Sequence, residues 1–301
     1  MHVSRDPLDR NRMKKVFKYL YSLIPFKVQL FTVVRNIFHP GEKLYRHLHF
    51  KGVFKVPVKK NASFLIRHYG YQVENDIFWK GITGRWEKKS IELWIKLSEK
   101  ARVIMDIGAN TGVYSLISKC LNPDSRVVAF EPVERIFNKL NCNIQLNNFS
   151  IESLLMAVSD HSGEALFYDT TEEHNYGATL QKISHDLLNT TKVGIITIDD
   201  LIKEKNFVGI DLVKIDVEYH EPEVLKGFSL INKYQPSILI EILSDDIGER
   251  VQAEIENYGG AYLYFDIDEQ NGLRKVENIR KSSGMNFLLC TESIAKEMQL
   301  I

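Results

Sequence analysis

Between residues 103 and 290 the chain alternates short apolar runs with longer stretches that keep their apolar residues on one side. Val103–Ile107, Val127–Glu131, Ile151–Val158, Leu212–Val217, Ser237–Ile242, Tyr262–Asp266 and Asn286–Cys290 have the length of buried strands. Helical spacing opens at Val113–Lys119, returns around Val133–Leu146 and recurs over Val251–Tyr258. A further helix follows Pro222, a residue suited to a first helical position because it lacks an N–H there. Leu166–Asp169 is an extra extended segment, His174–Asn189 is a polar insertion, and Ile195–Leu201 leads into the fourth strand. This order predicts an α/β fold: a mostly parallel sheet with right-handed crossovers and helices on both faces.

Upstream the pattern changes. Val16–Phe38 mixes large apolar residues with lysines, and Pro25 splits it into two short helices. Val53–Val58 alternates as an edge strand and pairs with Phe64–Tyr71 in a hairpin. Asn75–Trp86 reads as a loop, and Ser90–Lys100 as an amphipathic helix. The predicted architecture is therefore an N-terminal helical and hairpin extension over residues 1–76, followed by a core domain over residues 77–301. Met13 is an alternative start, with residues 1–12 then an upstream segment.

Charge sharpens this division. The chain has no net charge, yet residues 1–60 carry 14 Lys and Arg against 3 acids, and the remainder carries 25 against 36. A basic, apolar segment over residues 14–60 reads either as a helical cap on the core or as a peripheral contact with an anionic membrane or glycolipid. No nucleic-acid motif accompanies it, so no nucleic-acid partner is expected. There is no signal-peptide cleavage pattern and no apolar span of the ~20 residues that cross a bilayer. Cys120, Cys142 and Cys290 are too few and too scattered for a disulfide scaffold or a cysteine-rich zinc site. The expected location is the cytoplasm, with the inner face of the membrane as the peripheral alternative.

The densest chemistry lies at the ends of the apolar runs, where open α/β sheets bind ligands. Residues 103–115 read VIMDIGANTGVYS: a strand closed by Asp106, a turn through Gly108, Asn110, Thr111 and Gly112, then a helix. Glu131 ends the second strand and is placed to accept hydrogen bonds from a ribose diol. A dinucleotide fingerprint would need glycine at 110 and 113, where the chain has Asn110 and Val113, and the GxxxxGK[ST] phosphate loop is missing. A pyrophosphate would face Asp106. S-adenosylmethionine, with a sulfonium and an ammonium instead of phosphates, suits this turn, and Asn110 with the helix N-terminus can receive its carboxylate. Phe130 and Pro132 can flank the nucleoside, and Ala157, Val158 and Ser159 can border the adenine.

The segments VIMDIGANTGVYSL, VVAFEPVE, AVSDHSGEALFY, ITIDDLI, DLVKIDVEYHEPEVLKGF and PSILIEI occur in the order and spacing of the FkbM family of methyltransferases. The resemblance spans roughly Ile77 to Leu243 and includes GITGRWE. It implies a Rossmann-like methyltransferase fold of about seven strands with the last antiparallel. It also implies S-adenosylmethionine as cofactor, with Glu87 and Trp86 closing over its methionine end. One departure stands out: where the family usually has glycine after KIDVE, this chain has Tyr219, whose phenol is expected to narrow the acceptor side.

DVEYHE, residues 216–221, supplies candidate catalytic groups. If strand geometry continues, Asp216, Glu218 and His220 share one face, and any of them could take the proton of an acceptor hydroxyl. Glu221 reads as a helix cap or a ligand of nearby backbone N–H groups. Asp216, Glu241, Asp245 and Asp246 could hold a magnesium ion, but helix capping and solvation explain them more simply, and no metal is expected. His174, Asn175, Tyr176 and Thr179 are weaker acceptor candidates. The leading expectation is O-methylation of a hydroxyl, such as that of a cell-surface sugar or glycan precursor. The alternatives are a nicotinamide-dependent oxidoreductase and a non-catalytic membrane- or glycan-binding module on a degenerate methyltransferase fold.

Overall fold

The computed structural model describes residues 19, 21, 24–170, 180, 188–259 and 261–301. The extension supplies helices α1 (Lys27–Ile37) and α2 (Glu42–Tyr45) and the hairpin β1 (Gly52–Lys59)–β2 (Ala62–His68). Helices α3 (Gln72–Lys80) and α4 (Lys88–Ser98) lead into the core. The core then runs β3 (Val103–Ile107), α5 (Val113–Leu121), β4 (Arg126–Phe130), α6 (Glu134–Asn147), β5 (Ile151–Leu154), β6 (Met156–Val158), β7 (Gly163–Thr170) and β8 (Leu188–Ile196). It continues through α7 (Ile198–Lys205), β9 (Leu212–Ile215), α8 (Glu221–Lys226), α9 (Ile231–Tyr234), β10 (Ser237–Glu241) and α10 (Asp245–Asn257). Strands β11 (Tyr262–Asp268), β12 (Gly272–Val276) and β13 (Asn286–Thr291) and helix α11 (Glu292–Glu297) complete it.

The main sheet has eight strands in the order β12-β11-β13-β10-β9-β3-β4-β5. Strands β5, β4, β3, β9 and β10 pair in parallel, and β13 enters antiparallel between β10 and β11. This is the expected Rossmann-like α/β sheet with an eighth strand, β12, hairpinned onto its edge. Side chains alternate across it with the period of two that a pleated strand imposes. Ile104, Val127, Ala129, Leu212 and Leu239 join one buried cluster with the extension and α4–α6. Met105, Val128, Phe130, Val213 and Ile240 join the other, with α7, α8 and α10.

Three elements differ from the sequence reading. Residues 75–86 are not all loop: α3 runs through residue 80, with Ile77, Phe78 and Trp79 buried. The third strand is not continuous over 151–158. Its first half pairs with β4, and after a break at Leu155 its second half leaves the sheet to pair with β8 in a separate three-stranded sheet with β7. Strand geometry ends at Ile215, before the DVEYHE segment. Residues 174–176 and 179 lie outside the described residues.

The hairpin is tied to the core through polar groups at its edge. Asn147 on α6 accepts from Leu65 N at 2.6 Å and donates to Leu65 O at 2.7 Å. Asn143, one turn earlier, accepts from Arg67 N at 3.0 Å and donates to Thr111 O at 2.8 Å. These two amides satisfy the backbone of an edge strand that would otherwise invite another chain. They also join the hairpin to the glycine turn.

Candidate active site

Asp106 and Lys214 are register partners on the parallel strands β3 and β9, so their side chains share the face covered by α4 and α5. At the ends of these strands the chain opens into a cavity of about 350 Å³, a size suited to a small-molecule ligand. The sequence-derived candidates Glu87, Asp106, Gly108, Asn110, Thr111, Glu131, Pro132, Ala157, Val158, Asp216, Glu218 and His220 all line it. Gly112 does not; it caps α5 with φ +90°, and a Cβ there would lie 2.5 Å from Leu140 Cδ1. Ser159 sits just outside, its Oγ 3.0 Å from His220 Nε2.

One end of the cavity is built from backbone. Gly108 has φ +82°, and a Cβ there would meet the Asp216 carbonyl at 1.8 Å, so only glycine lets these strand ends approach. Asn110 also adopts positive φ, +50°. Glu131 accepts from Asn110 N at 3.1 Å and from Val133 N at 2.9 Å. Asp106 accepts from Ser115 N at 3.0 Å and Ser115 Oγ at 2.6 Å, so it ties down the first turn of α5 while lining the cavity. Burial pushes the carboxyls up, Asp106 to about 6 and Glu131 to about 7.

The other end gathers charge. Lys214, 1% exposed, donates from Nζ to Asp216 Oδ2 at 3.1 Å and stands 5.3 Å from the Tyr114 ring centroid. Burial works against its ammonium, but Asp216, Glu87 and Glu241 outweigh this and hold it above the ordinary lysine range. One oxygen each from Asp216, Glu218 and Glu241 lies within 4.8 Å of the others. Burial, then Asp216, pushes Glu218 up to about 8 and Glu241 to about 9. Glu87 accepts from Tyr114 OH, and burial pushes it up to about 7. Three clustered carboxylates can hold a divalent cation, but the Lys214 ammonium already supplies positive charge to this group. Asp245 and Asp246 do not belong to it. Asp245 accepts from Lys281 N at 2.9 Å, and Asp246 is exposed.

The shared-face reading of residues 216–220 fails, because Glu218 and Tyr219 turn into positive φ at +53° and +74°. The turn, rather than strand alternation, brings Asp216, Glu218 and His220 to the cavity. Tyr219 does not narrow the cavity; its ring packs against the buried cluster on the α7–α10 face. Its φ of +74° explains why glycine would be favoured at this position. Glu221 begins α8, and its Oε1 accepts from Val217 N at 3.3 Å, a backbone role as expected.

Residues 106–271 match the model of the methyltransferase FkbM domain. The chain belongs to this family. Hexuronic acid methyltransferase AglP of Haloferax volcanii is 27% identical over 191 residues, covering 64% of this chain and 76% of AglP. Methyltransferase sdnD of Sordaria araneosa is 28% identical over 187 residues, 48% of this chain and 72% of its own length. The 31-O-demethyl-FK506 methyltransferase FkbM of Streptomyces tacrolimicus is 28% identical over 152 residues, 42% of this chain and 58% of that protein. The chain is thus a methyltransferase, and methyl transfer replaces hydride transfer as its chemistry.

The cofactor of this methyltransferase is S-adenosylmethionine, and the residues present fit it. Among the described residues, Lys214 is the one lysine or arginine lining the cavity, and it lies at the Asp216 end. The glycine-turn end offers carboxylates and backbone amides, which suit a ribose and a cationic donor and oppose a pyrophosphate. Sequence reasoning missed two charged lining groups. Glu74, fully buried on α3, accepts from Thr111 Oγ1 at 3.3 Å, and its Oε2 has no hydrogen-bond partner among the described residues. Its segment carried no strong helical pattern, so nothing marked it. Lys214 did carry a signal: a lysine inside the apolar run LVKIDV must be buried with a counter-charge.

Proposed function

We propose that the chain is an O-methyltransferase acting on a hydroxyl of a sugar in a cell-surface glycan or its precursor, with Asp216 as the general base. The supporting observation is that one cavity joins the glycine turn and Glu131 to Asp216, Glu218 and His220. S-adenosylmethionine supplies an electrophilic methyl carbon on a cationic sulfonium. In this reading Glu131 holds the ribose, Asn110 and Thr111 the amino-acid end, and Pro132, Ala157 and Val158 the nucleoside. Asp106 fixes α5, Gly108 and Gly112 shape the turn, and Glu87 closes the site beside Tyr114.

A hydroxyl holds its proton tightly, so its oxygen attacks better when a neighbour takes that proton. Glu218 and Glu241, pushed up to about 8 and 9, keep their own protons at neutral pH and serve as hydrogen-bond donors to a polyhydroxy acceptor. Asp216, bonded to the Lys214 ammonium, remains as the acceptor of the proton. Burial lowers His220 into the neutral form, and its contact with Ser159 suits it to orienting the acceptor. Alignment of donor carbon and acceptor oxygen supplies much of the rate. The name of the AglP relative supports a sugar acceptor.

We also propose residues 1–76 as an extension on a methyltransferase domain of residues 77–301, working in the cytoplasm. The free cysteines suit that compartment, and among the described residues no helix is long and apolar enough to cross a membrane. Calorimetric titration with S-adenosylmethionine tests the donor assignment, and labelled-methyl transfer to fractionated sugar precursors tests the acceptor. Asp216→Asn is expected to keep donor affinity and to lose about 10²–10⁴-fold in turnover. Unchanged turnover would remove Asp216 as the base.

A further inference from the structure

Helix α1 is apolar on two sides, and the core covers one of them. Phe31 is buried, and Val28 and Val34 pack beside it against the main cluster. Gly52 allows the close approach of the hairpin, since a Cβ there would lie 2.4 Å from Val28 Cγ2. On the other side Phe26, just before the helix, and Leu30, Val33 and Ile37 follow one another at helical spacing and are 77%, 46%, 57% and 81% exposed. At 100° per residue these four fall within about 60° of arc, pointing away from Phe31. A contiguous apolar stripe left open on a helix whose other side is packed marks a contact surface. The outward stripe therefore fits something that covers it.

Charge identifies the occupant. Residues 24–60 hold eight Lys and Arg against one acid, Glu42, and that acid is paired with Arg46 and Arg85. Lys27 and Lys51 line a groove with Phe26 at the foot of the helix. Residues 61–301 carry the opposite imbalance, 25 Lys and Arg against 36 acids. Near a negatively charged bilayer this asymmetry turns the extension toward the lipid and the body away from it. An apolar stripe with cations beside it is the pattern of a segment lying in the interface plane.

We propose that the outward face of α1, Phe26 with Leu30, Val33 and Ile37, docks the enzyme on an anionic lipid surface, with Lys27 and Lys51 meeting the headgroups. This docking is independent of the methyl-transfer reading, because it needs neither donor nor acceptor.

The test is sedimentation of the full chain with vesicles of phosphatidylcholine alone and of phosphatidylcholine mixed with phosphatidylglycerol. Binding is expected to the mixed vesicles, to weaken with salt, and to fall at least about tenfold in Leu30→Ser/Val33→Ser/Ile37→Ser. Ile37→Ser alone, at the most exposed position of the stripe, gives a smaller loss in the same direction if the triple variant fails to fold. Circular dichroism and thermal unfolding of each variant report folding. Equal binding by wild type and folded variant, or no wild-type binding to the mixed vesicles, overturns the proposal. A wild-type dimer that the variant converts to monomer, without vesicle binding, also overturns it and assigns the stripe to a second copy.

Discussion

The two ends of the cavity solve opposite problems. At the glycine-turn end, Asp106 and Glu131 are held by backbone N–H groups at 2.9–3.1 Å, and the turn itself is set by Gly108 and Asn110 at positive φ. At the Lys214 end, Asp216, Glu218 and Glu241 crowd around one ammonium, and the backbone bends through two non-glycine residues at positive φ. The first end is fixed by covalent geometry and by hydrogen bonds from backbone N–H groups to two buried carboxyls. The second is fixed by a balance of like and unlike charges, so its shape and stability follow protonation. Donor recognition suits the first arrangement, and proton handling suits the second.

The most severe break is expected at the junction of the two ends. Gly108→Ala places a Cβ 1.8 Å from the Asp216 carbonyl at a φ of +82°, so β3 and β9 must separate at their tips. A cost of about 4 kcal/mol or more is expected from the overlap and strain together. Denaturant unfolding reads the loss, and calorimetry on any folded fraction should show no donor binding. Wild-type stability would mean that the turn is looser than its geometry indicates.

Lys214→Met acts chiefly on the charged end. It leaves Asp216 and Glu87 without their buried counter-charge, for which a loss of about 3–5 kcal/mol at neutral pH is expected. The loss should shrink as the pH falls and Glu87, pushed up to about 7, takes up its proton. A loss that stays constant between pH 8 and pH 5 would assign Lys214 a packing role instead.

The contrast explains which parts of the site were legible in the sequence. The glycine-turn end is encoded locally: Asp106, Gly108, Asn110 and Gly112 sit within seven consecutive residues, and Glu131 closes the next strand. The parallel sheet was legible for a similar reason, because burial on both faces leaves continuous apolar runs. The charged end is assembled from α4, β9, β10 and the turn after β9, and only the folded chain shows that Lys214, Glu87 and Glu241 converge. Glu74 escaped because α3 gains its order from packing under the hairpin rather than from helical periodicity. The break at Leu155 escaped because apolar spacing continues through it although the pairing partner changes.

Glu241→Gln sharpens the same comparison with a smaller effect of opposite sign. A carboxyl whose folded-state pKa lies above its unfolded value binds more protons when folded. Its contribution is therefore full at low pH and is lost as pH rises. For Glu241 that window runs from the ordinary value of 4.5 up to about 9. Near pH 8 the variant is expected to be more stable than wild type by about 1–2 kcal/mol, with the difference vanishing near pH 4. Parallel stability curves would show that the Lys214 end does not store charge repulsion.

The smallest effect is expected at Tyr219, where the two influences on the charged end's backbone oppose each other. Tyr219→Gly relieves a left-handed conformation that costs a side-chain-bearing residue about 1–2 kcal/mol. It also removes a ring that packs against Val213 and Ile215's buried cluster, and it frees the unfolded chain. These terms nearly cancel, leaving stability within about 1 kcal/mol of wild type. Because the phenol packs away from the cavity, kcat/KM for the acceptor should stay within about twofold, a change of under 1 kcal/mol in barrier. A tenfold change in kcat/KM with unaltered donor affinity would place the phenol at the acceptor. It would then make the loss of glycine after KIDVE a determinant of what the enzyme methylates rather than a tolerated strain in the turn.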